Sequence, residues 1–200
     1  MCILYCMVRT RQFDPATALQ TAVELFSAKG YAETSMDDLV KATGVSRYGI
    51  YGTFGNKREL FEKALDVYAD RMGRRAFERL AEPGARLADI EAIFADRVAD
   101  MCDKHESKAC LFIHTAMELA PQDDDLREVL RRFMVGMAKA FACGLKSAQQ
   151  AGEVRADLDR RAAGEELTST MFGLSVLARV GFSRASLDRI VDVTLASLRS

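Results

Sequence analysis

Apolar positions recur at three- and four-residue spacing along nearly the whole chain, and strand-like alternation is not found, so the pattern predicts helices throughout. The first runs from Asp14-Pro15, an N-cap followed by proline at the first helical position, through Leu19, Ala22, Val23 and Phe26 to Lys29-Gly30. A second starts at Ser35, whose hydroxyl can accept a backbone N–H near Asp38. It buries Met36, Leu39 and Val40 and stops where Gly44 can take the left-handed conformation. Ser46 caps a third, in which Ile50 and Phe54 share a core face while Arg47, Tyr48, Tyr51 and Thr53 point outward. Asn56 and Glu59 have the spacing of a capping box, and a longer helix, to about Leu80, then carries Leu60, Ala64, Leu65, Val67, Tyr68, Met72 and Phe77.

Pro83-Gly84 breaks the pattern, and Leu87, Ile90, Phe94, Val98 and Met101 mark a fifth helix. Cys110 to Leu119 reads as a sixth, stopped by Pro121. Asp123 to Asp125 supply a cap and a negative first turn for a long helix with Leu126, Val129, Leu130, Phe133, Met137, Phe141 and Leu145, and Gly152 lies just past its end. Two last helices, about 159–180 and 186–198, are apolar around much of their circumference, which implies a partner chain. The fold expected is all-α.

Composition narrows the classes. With 200 residues, 49% hydrophobic, the chain is long enough for a small helical domain joined to a larger one. No run approaches the eighteen or so uncharged apolar residues a membrane span needs, and the opening Met-Cys-Ile-Leu-Tyr-Cys-Met is too short for a secretory segment, so a cytoplasmic protein is expected, with Met1 and Met7 both candidate starts. The net charge of −1 argues against nonspecific coating of nucleic acid. Locally the balance differs: between residues 39 and 58 stand Lys41, Arg47, Lys57 and Arg58 with no Asp or Glu, and Arg9 and Arg11 form a short basic arm ahead of the first helix.

The order and spacing of Ala22, Leu25-Phe26, Gly30-Tyr31, Thr34-Ser35, Leu39, Gly44-Val45-Ser46, Ile50-Tyr51, Phe54, Lys57 and Leu60-Phe61 resemble the N-terminal domain of the TetR/AcrR family of transcriptional regulators. The resemblance implies an N-terminal three-helix helix-turn-helix domain, residues 1–56 with an ordered core from about 13, followed by a C-terminal helical ligand-binding and dimerisation bundle, residues 57–200. It also implies a homodimer paired through the last two helices, a double-stranded DNA operator and a small-molecule effector. Two recognition helices about 34 Å apart would read a palindrome, which favours a repressor by family habit. Arg47 and Tyr48 are the base-reading candidates, with Thr53 beside them. Thr34, Ser46, Tyr51 and Lys57 are the phosphate-contact candidates, the last three also by carry-over from matching family positions, and Ser35 is a further DNA-contact candidate. Gly49 and Gly52 depart from a good helix, each costing about 1 kcal/mol relative to alanine.

For the effector, Phe94, Met101, Phe112, Met117, Phe133, Met137, Phe141, Met171 and Phe172 are candidate pocket walls suited to an apolar or aromatic ligand. Five cysteines, at 2, 6, 102, 110 and 143, are odd in number and unevenly spaced, which suits free thiols in a reducing compartment. The stretch around Lys108-Ala109-Cys110-Leu111 is similar to a TetR subgroup with a sensing cysteine at this helix start, so Cys110 is a candidate electrophile or oxidant sensor, its thiolate favoured by the helix N-terminus and Lys108. Cys102, His105, Cys110 and His114 also have spacings compatible with zinc, although no metal or cofactor is assigned. Phosphate-binding glycine loops, nucleophile elbows and zincin helices are missing from the sequence, so an enzyme is not expected. A dimeric adaptor that has lost DNA binding remains the competing class.

Overall fold

In the computed structural model, residues 13–103 and 110–199 are described, with the side chains of residues 73–76 excepted. The expected arm at Arg9 and Arg11, and His105 and Lys108, lie outside the described residues. The order is α1 (Pro15–Lys29), α2 (Met36–Thr43), α3 (Arg47–Phe54), α4 (Lys57–Ala81), α5 (Leu87–Cys102), α6 (Leu111–Glu118), α7 (Asp124–Gln150), α8 (Arg160–Arg179) and α9 (Arg184–Ala196). The fold is all-α.

Local chemistry sets most boundaries. The Asp14 carboxylate accepts from the N–H groups of Ala16 and Thr17, 3.2 and 3.1 Å away. Ser35 and Asp38 form a reciprocal capping box at α2, each bond 3.0 Å, and Asn56 and Glu59 repeat it at α4. Gly44 takes the left-handed conformation, φ 69°, that closes α2. The start of α9 falls two residues earlier than Ser186, because Ser183 takes the cap and accepts from the Ser186 N–H.

Two apolar cores result. One joins α1 to α4 with α6 and the beginning of α7, through Phe26, Leu39, Ile50, Phe61, Phe112 and Leu126 among others. The other joins the end of α4 with α5, the rest of α7, α8 and α9, around Leu80, Phe94, Phe141, Leu167 and Leu187. Each such fully buried side chain contributes about 1.5 to 3 kcal/mol. Phe133 and Phe172 touch both cores and are the seam between them. The first core therefore extends past residue 57 into α6 and α7. Helices α7 and α8 are the most extensively packed pair, and they come so close at Gly164 that a Cβ there would collide with the Ala138 carbonyl oxygen.

Candidate nucleic-acid interface and effector core

Helix α2, the turn at Gly44 and α3 together form the helix-turn-helix. Ile50 and Phe54 anchor α3 in the first core, which leaves Arg47, Tyr48 and Tyr51 exposed, Tyr48 at 80% of its surface, with Thr53 half-buried. An exposed tyrosine on a short helix has no folding benefit to offset its exposed ring, and its surface can stack on or hydrogen-bond a groove. Ser46 is exposed, its Oγ accepting from the Gly49 N–H at 3.1 Å. Gly49 has a steric reason: an added Cβ would lie 2.9 Å from Val45 Cγ1 and 3.4 Å from Phe13. Gly52 faces open space, so nothing in its surroundings requires glycine.

Not every expected contact residue is available. Thr34 is fully buried, and its hydroxyl donates to the Gly30 carbonyl at 2.6 Å, so it is removed from the phosphate-contact set. Ser35 stays exposed but its hydroxyl is engaged in the α2 cap. Lys57 is half-buried with its ammonium 4.2 Å from the centre of the Tyr31 ring. Desolvation pushes its pKa below the ordinary lysine value, with the Glu118 charge opposing. The local basic cluster is partly neutralised within the fold: Arg47 pairs with Asp37 at 2.6 Å, and Arg58 with Asp123 at 2.5 Å and Glu62 at 2.7 Å. The sequence window from 39 to 58 could not show these partners, which lie before or after it.

A second contact, absent from the sequence reading, ties this head to the rest. The Glu118 carboxylate at the end of α6 accepts from the backbone N–H of Tyr31, 3.0 Å away, and from that of Ala32. The chain can turn here because Gly30 has φ +85°, and a Cβ on it would lie 2.8 Å from Glu118 Oε2 and 3.1 Å from His114 Nδ1. Burial, followed by the Arg179 charge, holds the His114 imidazole below its ordinary pKa, while Glu118 opposes both. Arg179 of α8 also reaches the Ala28 carbonyl at 3.5 Å. No spacing rule points to Glu118, since its partners are backbone groups 86 and 87 residues away.

The candidate pocket residues are divided between the two cores. Phe94, Met101, Met137, Phe141 and Met171 belong to the second core, Phe112 to the first, and Phe133 and Phe172 to the seam. Met117 is 78% exposed and is excluded as a pocket wall. A groove of about 560 Å³ lies between α5 and α9, with Phe94, Val98, Val191 and Leu195 on its floor and Asp188, Asp192 and a Glu91–Arg199 ion pair on its rim. Of the nine, it includes Phe94. Cys110 caps α6 and is 3% exposed, Cys102 is half-buried and Cys143 is exposed. Among the described residues no group of three or more His, Cys, Asp and Glu side chains is placed to hold a metal ion, and His105 lies outside them. Among the same residues no helix is long and apolar enough to cross a membrane.

The chain matches the family model described as bacterial regulatory proteins, tetR family, over residues 18–64, and that of the tetracyclin repressor-like C-terminal domain over residues 86–194. It is 34% identical to the HTH-type transcriptional regulator YezE of Bacillus subtilis, covering 96% of this chain and all of that protein. It is 30% identical to the HTH-type transcriptional repressor ComR of Escherichia coli K12, over 99% of this chain and 93% of that one. Among solved structures, a cysteine-substituted form of the TetR family regulator CifR, complexed with 26-base-pair operator DNA, is similar with a TM-score of 0.84 and 27% identity, covering 95% of this chain and 99% of CifR.

Proposed function

Since this chain belongs to the TetR family of bacterial transcriptional regulators, we propose that it is a homodimeric repressor that binds a palindromic operator and is released by a small molecule held in its C-terminal helices. The observation that carries this reading is the pairing of two exposed features: the Arg47, Tyr48 and Tyr51 face of α3, and exposed apolar residues on α8, on α9 and in the link between them. Val176, Val180, Phe182 and Val193 are exposed there, the last at 73%. Exposed large apolar residues on neighbouring segments are what a partner surface covers, and a second copy of this chain supplies the second reading helix. One short helix gives about 1 to 3 kcal/mol of discrimination per good base contact, too little to select a site alone.

The test uses the DNA upstream of the chain's own gene in a fluorescence anisotropy titration, with size-exclusion chromatography alongside. The wild type elutes as a dimer and binds one inverted repeat in preference to scrambled DNA. Val176→Glu with Val193→Glu yields a monomer with much weakened binding. A wild-type dimer with no preference for any segment of that DNA favours the adaptor reading.

The cysteine-substituted CifR–operator complex motivates a second reading, in which the inducer is an electrophile that alkylates the Cys110 thiol. The position of this cysteine, inside the core at the start of α6 and beside Tyr68, suits coupling of its modification to helix packing. Alkylated protein that keeps full operator affinity eliminates it.

A further inference from the structure

Arg97 is half-buried on α5, and its Nη2 lies 3.3 Å from the Ser175 hydroxyl of α8. Its Nε is closed off from solvent and has no hydrogen-bond partner. The Tyr68 phenol of α4 is close enough to both this guanidinium and the Cys110 thiol at the start of α6 to feel their electrostatics. Four helices thus deliver four polar groups to one place, between cores that are otherwise apolar, and aromatic rings border it: Phe112 stands 5.2 Å from the Tyr68 ring. Burial, then the adjacent Cys110, pushes the Tyr68 pKa far above the ordinary phenol range, so this hydroxyl stays neutral and keeps its proton.

A guanidinium is always charged and offers five N–H groups. With its Nε–H desolvated and unpaired, this half-buried guanidinium costs the free protein stability, because a donor closed off from water loses its hydration without a replacement. Among the described residues no carboxylate pairs with it. We infer that Arg97, with Tyr68 and Ser175, forms the anion subsite of the effector pocket, and that the effector is an apolar molecule ending in a carboxylate. The guanidinium and the two hydroxyls converge on the carboxylate oxygens, and the ligand's apolar body lies along the Phe112 side at the seam of the two cores. This deepens the ligand-released regulator proposed above and rests on it. It changes the expected ligand from a purely apolar one to an amphiphile with a defined negative end.

Octanoate, octanol and octylamine, which share a chain and differ in the head group, are the probes. Thermal denaturation midpoints of the full chain and its affinity for operator DNA are read with each, for wild type and for Arg97→Met. Octanoate raises the wild-type midpoint and weakens operator binding more than the other two. Arg97→Met, which keeps a long apolar side chain but no charge, raises the midpoint of the ligand-free protein and weakens octanoate binding about tenfold or more, as loss of a charge-assisted contact requires. Arg97→Lys retains the charge and recovers part of the octanoate preference.

If octanoate and octanol act equally on both proteins, the pocket is apolar with no anion subsite: this inference falls and the ligand-responsive reading stands. A lowered midpoint of ligand-free Arg97→Met also overturns it, since Arg97 is then a structural residue. Indifference of the wild type to octanoate does the same. Loss of operator binding without any ligand, by contrast, is a failure of the regulator reading itself.

Discussion

Arg47 illustrates what a single residue at the reading surface must do. It is held by Asp37 of the preceding helix at 2.6 Å, with both side chains largely in solvent, and Asp37 raises its already high pKa. An exposed pair of this kind is worth about 0 to 1 kcal/mol, less than a bidentate contact to a guanine edge, so DNA can take the guanidinium from the carboxylate. Asp37→Asn is therefore expected to tighten binding to operator and random duplex alike, by about fivefold at most, and Arg47→Ala to lower operator affinity by about tenfold or more while sparing random DNA. Anisotropy titrations at two salt concentrations separate these effects, and an Asp37→Asn protein with unchanged affinity removes the competition. The cysteines give a second prediction at this scale. Iodoacetamide in excess, followed by intact-mass and peptide analysis, labels exposed Cys143 first, while buried Cys110 reacts only as fast as its surroundings open. Equal rates at the two would mean that the start of α6 is open in solution.

Among the elements, α6 has a role out of proportion to its eight residues. Leu111, Phe112 and Thr115 bury it beneath the head, and Glu118 at its far end holds the α1–α2 turn by two backbone N–H groups. Glu118→Ala leaves those donors without their acceptor, and a loss of about 1 to 3 kcal/mol in unfolding free energy is expected by urea denaturation. The more telling measurement is the effector's influence on operator affinity. If α6 transmits it, the variant binds ligand normally but its operator affinity responds less. A full response in Glu118→Ala assigns transmission to another route, such as the Arg179 contact with α1. The helices themselves were readable because capping and periodicity are local: Asp14, Ser35, Ser46 and Asn56 cap the first four helices as their spacing predicts. The clasp was not, because a carboxylate near a helix end has no sequence signature for the turn it holds.

For the whole molecule, ion pairs at junctions couple the fold to pH. Arg58 and the α7 cap hold the Asp123 carboxyl below its ordinary pKa, and the Leu87 N–H and then Arg86 do the same for Glu153 across the α5–α7 junction. A carboxyl with a lower pKa folded than unfolded adds stability that is complete above its unfolded value of about 4 and is lost as pH falls through its folded one. Thermal midpoints should thus fall as pH drops below about 4, and Asp123→Asn should flatten that slope while lowering the midpoint at pH 7. An unaltered slope in the variant places the acid sensitivity elsewhere. What the sequence by itself determined was the all-α class, nearly every helix boundary, the outward face of α3 and membership of a DNA-binding family, because each depends on residues within a turn or two of one another or on a collinear motif. Only the tertiary structure decided that Thr34 is buried, that Met117 faces solvent, that Arg47 and Arg58 have acidic partners, and that Arg97 has an enclosed Nε and, among the described residues, no paired carboxylate. Those are outcomes of which helix faces meet. A three-four repeat tells which residues share a side of a helix, but the neighbour that covers that side comes from a distant part of the chain.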